Sequence, residues 1–254
     1  MIQSVDRAIQ LMLALQGTRR LGVTELAERL GLAKGTVHGL LRTLTARAVV
    51  EQDPETGKYM LGPALLRLGN VYLENQELRS RSLRWTDALA QRTESAVRVG
   101  VLVVPDVLVV HHAFRPEGGT QFLEVGIGIP AHASCMGKAI LAFRPSDFDR
   151  LVDEPLRRLT GTTEVDPAAL RNELAEVRTT AIAFEREEAV LGEWGVAGAI
   201  FGASGRAIGA VAVVLAGSQV RDDLDEVTVE AVRDTARAIS RELGADSWPA
   251  ETGS

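Results

Sequence analysis

The chain has 254 residues, 46% of them apolar, with one cysteine, four histidines and a net charge of −6. That is enough for one large or two ordinary domains with full cores. A single cysteine leaves no intramolecular disulfide, and the scattered His and Cys show no metal-ligand spacing, so no metal or other cofactor is expected. No uncharged apolar run reaches membrane-spanning length and the first twenty residues lack a signal-peptide arrangement, so the expected location is the cytoplasm, with no membrane partner.

Taken whole, the acidity argues against nucleic acid as a partner, but the charge is unevenly spread. Residues 1–75 hold nine Lys and Arg against seven Asp and Glu, a balance of +2, which leaves −8 for residues 76–254. A weakly basic head on an acidic body lets the head approach DNA while the body is repelled.

In chain order, Ser4 is placed to cap a first helix whose Val5, Ala8, Ile9, Met12 and Leu13 are expected to face inward. Gly17-Thr18-Arg19-Arg20 ends it. Thr24 is the expected cap of a second helix, with Glu25 in its first turn, where a carboxylate suits the helix dipole. The break at Gly31-Leu32-Ala33 reads as the turn of a helix-turn-helix. Beyond it, Val37, Leu40, Leu41 and Leu44 share one face and pack on Leu26, Ala27 and Leu30.

The opposite face of that helix carries Gly35, Gly39, Arg42 and Ala46, flanked by His38 and Thr43. A helical glycine costs about 1 kcal/mol relative to alanine. Two on an outer face suit close approach to a broad surface such as the B-DNA major groove; an amphipathic helix that tolerates two glycines is the plain alternative. Residues 48–51, a turn at 53–57 and a return strand at 58–61 then form the hairpin of a winged helix-turn-helix, with Lys58 and Tyr59 where they can reach a duplex backbone. Pattern and charge together favour double-stranded DNA over a protein-binding winged helix.

Leu61-Gly62-Pro63 closes a DNA-binding domain over residues 1–63. Residues 64–93 read as linker helices, interrupted by a polar stretch near 75–82, that join the next domain and pair with a twin, since paired modules read paired half-sites. The period then changes to that of a mixed sheet flanked by helices over 94–243. Strands are expected at 96–104, 107–114, 121–125, 196–201 and 208–215. Helices are expected from Ser134, from a Ser146 cap to Leu151, from Asp166-Pro167 to Val177 and from Leu224 to Leu243. The cluster from Phe184 to Glu188 reads as a solvated loop, and residues 244–254 as a disordered tail.

The stretch GIGIPAHASCMGKAILAF, residues 126–143, runs a glycine-rich loop into a helix N-terminus. Free N–H groups and a positive dipole end suit an anionic or hydroxyl-rich small molecule, although an ordinary strand-to-helix connection looks the same. An enzyme would use Cys135 or Ser134 as nucleophile with His132, His111 or His112 as base. No third group orients such a pair and no nucleophile elbow is present, so the chain is read as a non-enzyme. His111 and His112, adjacent on a strand, are expected to point to opposite faces.

The segments LAKGTVHGLLRTL, KYMLG and PAHASCMGKAILA, in this order, resemble the IclR family of bacterial transcriptional regulators, and the likeness covers nearly the whole chain. It implies an α+β fold class, a winged helix-turn-helix joined by a linker helix to an α/β, GAF-like effector-binding domain. It implies a homodimer or dimer of dimers on operator DNA, released or recruited by a small-molecule effector, glycerol or glycerol 3-phosphate. DNA contacts would come from Lys34, Gly35, Thr36, His38, Gly39, Arg42 and Thr43 with Lys58 and Tyr59 of the wing. Effector contacts would come from Ile129, Cys135, Met136, Glu185, Gly195, Ala212 and Val214.

Departures from the family pattern matter. The family often has Cys at Gly195 and hydroxyl residues at Ala212 and Val214, so a small keto acid finds fewer partners here. It often has Ser at Gly35 and Arg at Gly39, which leaves Lys34, Thr36, His38 and Arg42 to carry more of the readout. A phosphorylated effector would need Lys138, Arg98 or backbone N–H groups. A small-molecule or protein-interaction module without DNA binding is the rival reading.

Overall fold

The computed structural model describes residues 2–18, 20–117, 120–216 and 226–249. The chain divides between Asn75 and Gln76 into two compact units.

The first unit runs α1 (Gln3–Gln16), α2 (Val23–Leu30), α3 (Lys34–Thr45), β1 (Val50–Gln52), β2 (Tyr59–Leu61) and α4 (Ala64–Glu74). Its core is Leu11, Leu15, Leu26, Val37, Leu41, Val50 and Tyr59. Each fully buried aliphatic side chain there contributes roughly 1.5–3 kcal/mol. Gly31, at φ +64°, ends α2 in the left-handed conformation, and its N–H and that of Leu32 satisfy the carbonyls of Glu28 and Ala27. That cap sets α3 across α2 as expected of a helix-turn-helix.

Several details differ from expectation. The inward face of α1 is Leu11, Ala14 and Leu15, with Ala8 and Met12 half-buried, while Val5, Ile9 and Leu13 are exposed. The helix carries two apolar stripes, and periodicity alone does not say which one meets α2 and α3. Neither Ser4 nor Thr24 is a cap: Ile2 and Gly22 hold those positions, and Glu25 reaches back to accept the Gly22 N–H at 2.6 Å. Ala48 still belongs to the turn that ends α3, its N–H on Thr45 O, so the antiparallel hairpin begins at Val50, paired with Leu61. Asp53 fixes the hairpin turn by accepting from Glu55 N at 3.0 Å, Thr56 Oγ1 at 2.9 Å and the Arg20 guanidinium.

The second unit begins with α5 (Glu77–Thr93) and continues β3 (Ala96–Val103), β4 (Asp106–Ala113), β5 (Gly128–Pro130), α6 (Cys135–Leu141), α7 (Pro145–Leu151), α8 (Pro167–Thr180), β6 (Ile182–Arg186), β7 (Glu193–Phe201), β8 (Ala207–Ala216) and α9 (Glu226–Glu242). The six strands form one sheet, order β5-β4-β3-β8-β7-β6, with every neighbouring pair antiparallel. Helices α5 and α9 pack on one face and α6 on the other. A Cβ at Gly198 would meet Ala236 of α9, whereas one at Gly195 would meet Cys135 of α6, as strand alternation requires.

The helices expected from Ser134 and from Asp166-Pro167 form as read. Ser134 Oγ accepts from Gly137 N at 3.1 Å, and the Asp166 carboxylate from Ala168 N and Ala169 N. Ser146 is not a cap; α7 starts one residue earlier, at Pro145. Residues 121–125 form no strand, because the Gln121 side chain folds the segment onto the Arg115 backbone at 2.8 and 3.0 Å, and β5 supplies the sheet edge instead.

The 64–93 stretch is split, α4 packing with the first unit and α5 with the second. Phe184 to Arg186 belongs to edge strand β6 rather than to a solvated loop. Of the expected tail, residues 244–249 are packed: Trp248 is 2% exposed and donates to Ala199 O at 3.0 Å. Arg19, the expected start of the last helix at Leu224, and residues 250–254 lie outside the described residues.

Candidate functional site

On α3, Lys34, Gly35, His38, Arg42 and Thr43 are exposed and Thr36 and Gly39 half-exposed, opposite the buried Val37 and Leu41. A Cβ at Gly35 or Gly39 would meet nothing within 4 Å, so neither glycine is required by packing inside the chain. The backbone of the helix is bare there. Thr43 Oγ1 folds back onto Gly39 O at 3.0 Å, and Lys34 and Arg42 make no ion pair among the described residues.

The wing is less open than expected. Tyr59 is 8% exposed, bridges to Leu21 and belongs to the core, so its ring cannot serve as a duplex contact; this corrects the reading of that residue. Lys58 remains half-exposed, 3.2 Å from Glu25.

In the second unit the α6-facing side of the sheet gathers most of the expected effector residues. Gly195 stands opposite Glu185 and Val214, and Ala212 opposite Arg98 and Ala197. Glu185 Oε2 accepts the Cys135 N–H at 3.2 Å, and its Oε1 accepts Ala189 N at 3.3 Å. A Cβ at Gly195 would lie 2.7 Å from Cys135 Sγ, so the thiol occupies the space a side chain there would need. Met136 instead packs toward Gly100, and Ile129 lies half-buried on β5 opposite Val107.

The electrostatics of this region are those of a chain that has satisfied its own cations. Buried Lys138 donates to Glu188 at 2.6 Å and Glu173 at 2.8 Å. Burial alone would lower its pKa, but the Glu188 and Glu173 charges outweigh burial and raise it. Arg98 holds Glu124 at 2.5 and 2.9 Å and Glu193 at 2.8 and 3.2 Å; burial again opposes, and the two carboxylates raise its pKa. Both side chains named above for a phosphate are therefore already neutralised, which corrects that expectation. Glu185 is pushed up to about 7 by burial first and by Glu193 second.

Between β3, β4, the start of β7 and the end of β8 lies an open cavity of about 190 Å3, lined by Ala96, Arg98, His112, Arg115, Gln121, Phe122, Glu124, Glu193 and Val214. Of the expected effector residues only Val214 lines it. The sequence reading missed His112, Glu124 and Glu193 as site residues; a lone arginine in the apolar run VRVGVLVV was the available signal. As expected, the paired histidines diverge: His111 Nε2 meets Thr86 Oγ1 of α5 at 2.9 Å, while His112 turns to the cavity.

The nucleophile reading finds no geometry. His132 Nε2 is held on Arg157 O, Ser134 Oγ caps α6, and burial, then Glu185, pushes the Cys135 thiol well up from its ordinary value. Among the described residues no helix is long and apolar enough to cross a membrane.

Comparison with known proteins follows the same division. Residues 4–54 match the profile described as the IclR helix-turn-helix domain, and residues 70–241 that of the bacterial transcriptional regulator IclR C-terminal domain. The chain is 43% identical over 247 residues to the glycerol operon regulatory protein of Streptomyces griseus, covering 96% of this chain and 97% of that one. The protein of the same name from Streptomyces coelicolor is 41% identical with the same coverage. The crystal structure of an IclR-type regulator from Silicibacter sp. TM1040 superposes with a TM-score of 0.82 at 28% identity, over 97% of this chain and 98% of that one.

Proposed function

Because this chain belongs to the IclR family of bacterial transcriptional regulators, proteins that bind DNA and are not enzymes, we propose that it is a cytoplasmic repressor of a glycerol operon. In this reading α3 enters the major groove of the operator, and glycerol or glycerol 3-phosphate bound in the second unit alters operator affinity. The observation that carries it is the outer face of α3, where open backbone at Gly35 and Gly39 lies beside exposed Lys34, His38 and Arg42. A helix free of bulk on one side can seat its backbone close to base-pair edges while the cations meet phosphate or guanine. Ile129, Cys135, Met136, Glu185, Gly195, Ala212 and Val214 stand as the proposed effector-side residues. Those that touch one another, Cys135, Glu185 and Gly195, would relay occupancy through α6.

Assembly is part of the proposal. Ile2, Val5, Ile9 and Leu13 of α1 and its N-cap, and Leu66, Leu68, Val71 and Tyr72 of α4, are exposed apolar side chains. Such stripes favour burial against a second copy, giving a homodimer or dimer of dimers that reads paired half-sites.

The experiment is an electrophoretic mobility shift with DNA from upstream of the chain's own gene, with and without glycerol and glycerol 3-phosphate. The reading expects a shift altered by one of the two compounds. Absence of a shift in every effector state removes the regulator reading, and a shift indifferent to both compounds removes the effector assignment alone.

A further inference from the structure

One polar atom in the second unit lacks what burial demands. The His112 side chain is 4% exposed, and its Nε2 has no hydrogen-bond partner. Its Nδ1 accepts the Glu124 N–H at 3.3 Å, which in the neutral imidazole places the proton on Nε2. Burial holds the ring below its ordinary pKa, with Glu124 pulling up and Arg98 pushing down, so the ring is neutral near pH 7. Its Nε2–H is a donor whose nearest carboxylate oxygen, Glu124 Oε2, stands 3.9 Å away, beyond hydrogen-bond reach. A buried donor left unpaired is destabilising, and this one lines the 190 Å3 cavity.

The rest of the lining states what would satisfy it. Arg98 commits four hydrogen bonds to Glu124 and Glu193, yet each carboxylate oxygen keeps a lone pair in addition to the one it gives to Arg98. The charged lining residues, Arg98, Arg115, Glu124 and Glu193, sum to zero, so the cavity has no excess of positive charge to hold a phosphate. An incoming anion would also face two carboxylates. A hydroxyl group fits both sides: its oxygen accepts from His112 Nε2 and its hydrogen goes to a Glu124 or Glu193 oxygen.

We propose that the Arg98–His112–Glu124–Glu193 cavity is an effector subsite for an uncharged polyhydroxy compound, with His112 Nε2 as donor to one hydroxyl, and that it discriminates against the phosphorylated form. This rests on the reading of the second unit as effector-binding and selects between the two effectors named there.

The test is isothermal titration calorimetry of the full chain with glycerol, erythritol and sorbitol as uncharged polyols and with glycerol 3-phosphate as the anion. At least one uncharged polyol should bind saturably, and at least tenfold more tightly than glycerol 3-phosphate. The substitution His112→Phe removes the donor but keeps the ring volume, and should weaken that polyol about tenfold. His112→Gln, which restores an N–H, should recover most of the loss. Circular dichroism of each variant reports whether it folds, and Glu193→Gln, which removes one acceptor charge, should weaken the polyol independently if His112 variants do not fold. Tighter binding of glycerol 3-phosphate, unchanged polyol affinity in the folded variants, or binding of none of the polyols overturns the inference. An operator shift by the same preparation would leave the regulator reading standing in each of those cases.

Discussion

The carboxylate of Glu185 accepts the backbone N–H of Cys135 at 3.2 Å, joining edge strand β6 to the start of α6 across fifty residues of sequence. The free donors of a helix N-terminus, which invited a ligand anion on sequence grounds, are thus met in part by the protein itself. Burial keeps this carboxyl protonated up to about pH 7, against an ordinary value of 4.5. A carboxyl whose pKa rises on folding binds its proton more tightly in the folded chain. Its contribution is complete below about pH 4.5 and is lost as pH rises through about 7, and the displacement corresponds to about 3 kcal/mol. Glu185→Gln keeps an acceptor and removes the titration. Between pH 5 and 8.5 the variant should gain roughly 2–3 kcal/mol relative to wild type in urea unfolding; parallel profiles would contradict this account.

The Lys138 ammonium sits between Glu188 and Glu173 with almost no solvent contact. Removing it leaves two carboxylates without their cation, a loss of about 3–5 kcal/mol for a buried pair. Lys138→Met should lower the calorimetric midpoint on the order of 10 °C, and adding Glu188→Gln should restore part of it. A midpoint within 2 °C of wild type for the single variant would show that the triad contributes little.

These two carboxylates also show why part of the site escaped the sequence. Phe184 to Glu188 looks like a solvated charge cluster because the partners that hold it, Cys135 N and Lys138, are about fifty residues away. Local signals were sufficient where the physics is local: the Gly31 turn, the Asp166-Pro167 helix start and the β3–β4 hairpin form as read. They failed where a tertiary partner decides. The apolar stripe Val5, Ile9, Leu13 has helical spacing but faces outward, Tyr59 is taken into the core by its pairing with Leu21, and Trp248 pins a tail of polar composition onto β7.

The bare face of α3 sets stability against binding. Since nothing lies within 4 Å of a Cβ at Gly39, Gly39→Ala should stabilise the helix by about 1 kcal/mol and raise the melting midpoint of the first unit by several degrees. Arg42→Ala should leave the circular dichroism spectrum intact and abolish specific operator binding, a loss of about 1–3 kcal/mol per base contact. An unaltered operator affinity would place the docking face elsewhere.

The exposed stripe of α4 is the other surface that lacks a partner within its unit. Leu68→Glu with Val71→Glu should leave the secondary structure unchanged and shift sedimentation toward a smaller species. If the wild-type chain already sediments as a monomer at micromolar concentration, the pairing reading fails.

The central claim, that this acidic chain reads DNA through the bare face of α3, is tested most directly by fluorescence anisotropy of a labelled operator duplex from 50 to 200 mM salt, with wild type and Gly39→Leu. The account predicts a log affinity for wild type that falls linearly with log salt, and a large loss of specific binding for a folded Gly39→Leu chain. Salt-insensitive binding, or equal affinity of the two proteins, would contradict it.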